Sequence, residues 1–130
     1  MPELQFPYGR EKLNLELPAD RLNGTLFSSA HEYETNKSES EIVKEAMANP
    51  IASSKLKELA KGKDKIVIIS SDHTRPVPSH ITMPILIDEI ESVNSEAEIT
   101  ILVATGFHRA STEEELRDKY GDRIVDDINI

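Results

Sequence analysis

"KIVIIS", residues 65–70, runs straight into "SDHTRPVP", residues 71–78. The first stretch is apolar without alternation, which predicts a strand covered on both faces, as in a parallel sheet. The second sets Asp72, His73, Thr74 and Arg75 side by side where that strand ends. Pro76 and Pro78, whose rings fix φ, then stiffen the chain. Ligand sites of α/β proteins are built at the carboxyl ends of such strands.

Downstream, "SHITMPILIDEIESVN" (79–94) carries Leu86, Ile90 and Val93 at i, i+4 and i+7, the spacing of a helix, with Pro84 near its first turn or kinking it. "EITILVATG" (98–106) predicts a second buried strand. "STEEELRDKYG" (111–121) offers Ser111 or Thr112 as a helix cap, with a glutamate three residues later in either case, and Gly121 as terminator. "RIVDDINI" (123–130) reads as a third strand-like run, within which the sequence stops. Strand, helix, strand, helix, strand from residue 65 predicts right-handed βαβ units. The fold class is therefore α/β, a Rossmann-like parallel sheet with flanking helices.

Upstream, "SESEIVKEAMANP" (38–50) has helical spacing through Ile42, Val43, Ala46 and Met47, with Ser38 or Ser40 to cap it and Pro50 to stop it. "SSKLKELAKGK" (53–63) is a second short helix closed by Gly62, with lysines where the helix dipole favours them. Before these, "LQF", "PYGRE" and "KLNLELP" read as strand, turn, strand, with Leu13, Leu15 and Leu17 alternating with polar residues. Residues 18–37 form a connecting loop. The expected organisation is a hairpin and loop over residues 1–37, then an α/β core over residues 38–130.

At 130 residues the chain is the size of one ordinary domain. Apolar residues at 38% and charged residues at 30% suit a soluble globular protein. Lys and Arg total 15 against 24 acids, a formal charge of −9, which speaks against nucleic-acid and anionic-membrane partners. In so acidic a chain, a cation such as Arg75 serves a local purpose rather than a general field. With no cysteine, disulfides and thiolate metal sites are excluded. The N-terminus lacks the basic start and apolar core of a signal peptide, and no apolar stretch is long enough to span a membrane. The expected location is the cytoplasm.

Arg75 suits bidentate binding of a carboxylate or phosphate, and equally a salt bridge to Asp72 or to another acid of this acidic chain. Asp72 and Thr74 can hold a ribose or phosphate, or cap the turn that leaves the strand. His73 lies between them and can point the other way, into packing. His108 follows "ATGF", where Gly106 permits an unusual turn. An imidazole there can exchange a proton near neutral pH, or be a surface histidine. Arg109 can pair with an acid or reach the site, and is not among the expected site residues. The four histidines, His31, His73, His80 and His108, show no metal-ligand spacing, so no metal site is expected from this chain alone. Neither a Walker lysine loop nor a G-x-G-x-x-G is present. The residues alone reach an α/β domain with a polar cleft for an anionic ligand, and a non-catalytic module binding a nucleotide or small organic anion satisfies them.

Taken together, "DHTRPVP" after one strand, "ATGFHR" after the next and "FPYGREKLNLELP" upstream resemble the amino-terminal part of the nickel-dependent lactate racemase family. The resemblance spans essentially the whole chain. It implies interconversion of L- and D-lactate, or of another small 2-hydroxy acid, by proton-coupled hydride transfer to a nickel-pincer nucleotide, a nickel pyridinium bisthiocarboxylate mononucleotide. By the same resemblance Asp72, His73, Thr74 and Arg75 line the cofactor site, Arg75 helps hold the substrate carboxylate, and His108 is one of two acid/base histidines. The second histidine, the lysine that attaches the cofactor and the histidine that ligates nickel lie downstream in the family and are absent from this sequence. The chain is therefore expected to be an amino-terminal fragment, roughly the first third, that needs the remainder of the enzyme. Alone it is expected neither to racemise lactate nor to hold nickel.

Overall fold

A computed structural model describes residues 3–130; Met1, Pro2 and the side chain of His31 lie outside the described residues. The chain divides into two compact units, Met1–Thr35 and Asn36–Ile130.

In the first unit, β1 (Glu3–Tyr8) pairs antiparallel with β2 (Glu11–Glu16). Gly9, at φ +62°, takes the first central position of the two-residue turn, where a side chain would be strained. Opposed pairs Leu4–Leu15 and Phe6–Leu13 share one face, while Glu3–Glu16, Gln5–Asn14 and Pro7–Lys12 share the other. Two 3-10 turns, Ala19–Arg21 and Ser29–Glu32, punctuate the segment that follows.

The second unit holds the core. Helix α1 (Glu39–Ala48) starts in a capping box: Ser38 accepts from the Glu41 amide while the Glu41 carboxylate accepts from the Ser38 amide. Helix α2 (Leu56–Ala60) leads into β3 (Lys65–Ser71), then α3 (Ser79–Glu91), β4 (Glu98–Ala104), α4 (Glu113–Tyr120) and α5 (Asp122–Asp127). Strands β3 and β4 are parallel neighbours in register from Lys65–Glu98 to Ser71–Ala104, so both end on the same rung. The fold is mixed α/β, an N-terminal hairpin followed by a parallel sheet with flanking helices.

Two expectations are corrected. The sheet is not covered on both faces: Ile66, Ile68, Ile99 and Ile101 face the helices, whereas Val67, Ile69 and Leu102 are 59%, 73% and 55% exposed. Residues 122–127 form α5 rather than a strand; Gly121, at φ +86°, ends α4 and the next helix begins at once. Only Asn129 reaches the sheet, in a parallel bridge to Thr100, where its carbonyl accepts from the Ile101 amide at 2.8 Å. In α3 the buried stripe is Met83, Ile87 and Ile90, with Leu86 and Val93 on its flanks. These join Tyr120, Ile124 and Ala60 in one core against the covered sheet face.

Candidate functional site

Because β3 and β4 stop level with each other, the turns that follow them start side by side. After β4, the His108 amide donates to the Thr105 carbonyl at 3.0 Å, closing a four-residue turn. Gly106 sits in it at φ +59°, the only φ sign that brings the chain round this way. After β3, Asp72 is 2% exposed, although a lone carboxylate is rarely tolerated at such depth. Its oxygens are satisfied locally. Oδ1 accepts from the Thr74 amide at 3.1 Å and from the Thr74 hydroxyl at 2.7 Å. Oδ2 lies 2.5 Å from His108 Nδ1. The Thr74 hydroxyl, then His108, hold the Asp72 carboxyl at about 2, well below its ordinary 3.8. Asp72 is therefore ionised at neutral pH and can only accept. His108 Nδ1 must then carry the proton between them, which leaves Nε2 as the nitrogen free to exchange one.

Arg75 follows on a stiff segment. The Val77 amide donates to the Arg75 carbonyl at 2.8 Å and the Ser79 amide to the Val77 carbonyl at 2.7 Å, two successive tight turns about Pro76 and Pro78. The salt bridge to Asp72 does not form. Among the described residues, the Arg75 guanidinium makes no hydrogen bond or ion pair, so a planar, permanently charged donor fork remains open to a ligand. Asp72, Arg75, Gly106, Phe107 and His108 line one open cavity of about 320 Å³ at the strand ends. Its exposed Phe107 ring and free guanidinium fit the planar and anionic parts of a nucleotide. Among the described residues no cluster of three or more His, Asp or Glu is able to hold a metal ion.

Two of the predicted residues lie apart from that cavity. Thr74 acts on Asp72 rather than lining the space. His73 points to α4: its Nδ1 is 3.0 Å from Ser111 Oγ and its Nε2 3.3 Å from Glu115 Oε1. It lines a neighbouring cavity of about 300 Å³ with His80 and Lys119, and Arg75 borders both.

Sequence reasoning missed Glu115 and Lys119. Glu115 is legible as the capping-box partner of Thr112, whose amide donates to it at 2.8 Å. The Arg109 fork that grips the same carboxylate, at 2.6 and 2.8 Å, joins residues six apart and has no short signature. Arg109, then the Thr112 amide, hold Glu115 at about 2, below its ordinary 4.5. Lys119 is 9% exposed beneath the end of β3, with Nζ 3.5 Å from Ser71 Oγ, and burial pushes its pKa down. Nothing in "RDKYG" separates such a lysine from a solvated one.

Residues 8–130 match the lactate racemase N-terminal domain family. A lactate racemase of Thermoanaerobacterium thermosaccharolyticum is 51% identical over 126 residues, which is 97% of this chain and 30% of that protein. One from Lactiplantibacillus plantarum is 51% identical over 130 residues, 100% of this chain and 31% of that protein. The solved lactate racemase apoprotein from T. thermosaccharolyticum superposes with a TM-score of 0.80 at 46% identity, over 98% of this chain and 29% of that one. The chain thus spans slightly under a third of the length of the curated relatives it matches. With nearly every residue inside the match, this chain belongs to the lactate racemase N-terminal domain family.

Proposed function

We propose that this chain is the amino-terminal part of a lactate racemase, supplying one acid/base histidine, an anchor for the substrate carboxylate and part of a cofactor site. The observation that carries this reading is the ionised Asp72 seated on His108 Nδ1 beside an Arg75 whose guanidinium is unpaired among the described residues, all three on one cavity. The similarity to lactate racemases supports the substrate class.

The chemistry follows from the groups. The α-hydrogen of a 2-hydroxy acid is a very weak acid, so leaving as hydride is the easier course if a base removes the hydroxyl proton at the same time. His108 Nε2 takes that proton, because Asp72 fixes the other nitrogen as a donor and stabilises the imidazolium that forms. Arg75 receives the substrate carboxylate; in a chain of net charge −9, a small anion needs such a local cation to enter. A nickel-pincer nucleotide, when bound, supplies the acceptor and donor of the hydride. Of the four residues expected to hold it, Asp72 and Arg75 line the cavity that would take it, with Arg75 also serving the substrate, while Thr74 holds the Asp72 carboxylate and His73 borders the neighbouring cavity. For the opposite enantiomer the ketone oxygen takes its proton from the second acid/base histidine, which the family resemblance places downstream of this sequence, and in the reverse direction His108 is the group that gives its proton.

The test is racemisation of each lactate enantiomer, followed by chiral chromatography, in the longer cofactor-loaded protein that carries this sequence. His108→Ala should lower kcat by about a hundredfold or more, the usual worth of a positioned base, with unchanged circular dichroism. Full activity in that variant removes the proposed base. The isolated 130-residue chain should show no turnover and hold no nickel, and turnover by it would overturn the division of labour proposed here.

A further inference from the structure

Two ties join the tips of β3 and β4, and they run side by side. The inner one is Asp72 to His108 at 2.5 Å. The outer one uses the next residue along each turn: His73 lies 3.3 Å from Glu115 Oε1, and Arg109 grips both Glu115 oxygens at 2.6 and 2.8 Å. Glu115 is itself fixed, since its carboxylate also accepts from the Thr112 amide and so belongs to the first turn of α4. His73 is braced independently by Ser111 at 3.0 Å.

The inner tie needs this help. The His108 side chain is 48% exposed and rides on a glycine turn, so packing alone does not hold its ring against a carboxylate that is 2% exposed. Arg109 is the adjacent residue, and its Nη1 also donates to the Ala110 carbonyl at 2.9 Å, drawing the loop back on itself. A fork of two parallel hydrogen bonds sets distance and angle together, which a single contact does not. Catalytic groups lose much of their effect when displaced by about 1 Å.

We infer that Glu115 is a positioning residue for the Asp72–His108 pair, acting through Arg109 on one turn and His73 on the other. Its catalytic consequence rests on the reading of His108 as the base; its structural consequence does not. Glu115 touches neither substrate nor reacting atoms, so its loss should lower kcat while leaving the Arg75-dependent KM in place.

The experiment uses the longer cofactor-loaded protein with ¹⁵N-labelled histidine. The proton between His108 and Asp72 gives a downfield imidazole resonance, assigned by its disappearance in His108→Gln. Glu115→Ala should broaden or abolish that resonance and lower kcat tenfold or more, with KM for lactate within twofold. Glu115→Gln, which keeps part of the fork, should fall between. Arg109→Leu is the second variant: that side chain is 61% exposed, so its removal leaves the fold standing, and it should reproduce the Ala result. The inference is overturned if the resonance persists unchanged in both Glu115→Ala and Arg109→Leu. Should the unsubstituted protein fail to racemise lactate, the racemase reading falls, while the resonance still decides the role of Glu115.

Discussion

The two faces of the β3–β4 pair are made of similar residues and live in different surroundings. On one, Ile99 and Ile101 are 7% and 1% exposed beneath α3 and the helices after β4. On the other, Val67 and Ile69 stand mostly in solvent. Composition therefore does not distinguish them; position in the pleat does. Burial is what converts an isoleucine into stability, at about 25 cal/mol per Å² of apolar surface removed from water. The same side chain two residues along contributes little when nothing lies over it.

Three measurements on the 130-residue chain can break or sharpen that contrast. The largest effect is expected from Ile101→Ala on the covered face, a loss of about 2–5 kcal/mol in denaturant unfolding, since it opens a cavity in a rigid core. A loss below about 1 kcal/mol would mean that this face is not the core.

The next concerns acid. Asp72 is buried on the covered side and Glu115 caps α4, with carboxyls at about 2 against ordinary values of 3.8 and 4.5. A carboxyl whose pKa is lower in the folded state contributes stability above its unfolded pKa and loses it as pH falls through the folded one. The urea midpoint should therefore be flat above about pH 5 and fall between about pH 4.5 and 2. Asp72→Asn should make that fall shallower; an identical slope would show that the contacts of Asp72 do not favour its ionised form.

The smallest effect is expected on the bare face. Ile69→Ala should change stability by no more than about 0.5 kcal/mol, as solvent-facing substitutions do. A cost near that of Ile101→Ala would reveal a cover over Val67 and Ile69 in solution.

How far these features were legible follows from the residues. Strand ends, turns and caps depend on neighbours in sequence, so Gly9, Gly106 and Gly121 mark their positions, and each helix cap is narrowed to two residues, of which Ser38 and Thr112 are the ones used. The parallel alternation and the convergence of Asp72, Arg75 and His108 on one edge followed from the order of elements. The bare face did not, because Val67, Ile69 and Leu102 are as apolar as their buried neighbours and hide the alternation a half-covered strand would show. The last helix is hidden in the sequence because "RIV" has β-branched character, although Ile124 and, four residues on at the helix C-cap, Ile128 both pack on the core. The helix over α3 is legible from its spacing, but its deepest stripe is not, since Leu86 is as apolar as Met83 and only three-dimensional contact selects between them. At the site, single letters revealed which groups are present. Their pairing, above all the Arg109–Glu115 fork, depends on where two turns meet in space.

The two tight turns about Pro76 and Pro78 leave the backbone that follows Arg75 with few alternatives. A wall that cannot bend chooses its guests by shape. A molecule that matches it binds without spending chain entropy on ordering that wall, and one that does not cannot coax it into yielding. Altering what this cavity accepts is therefore a matter for the exposed Phe107 side, not for the rigid rail that carries the guanidinium.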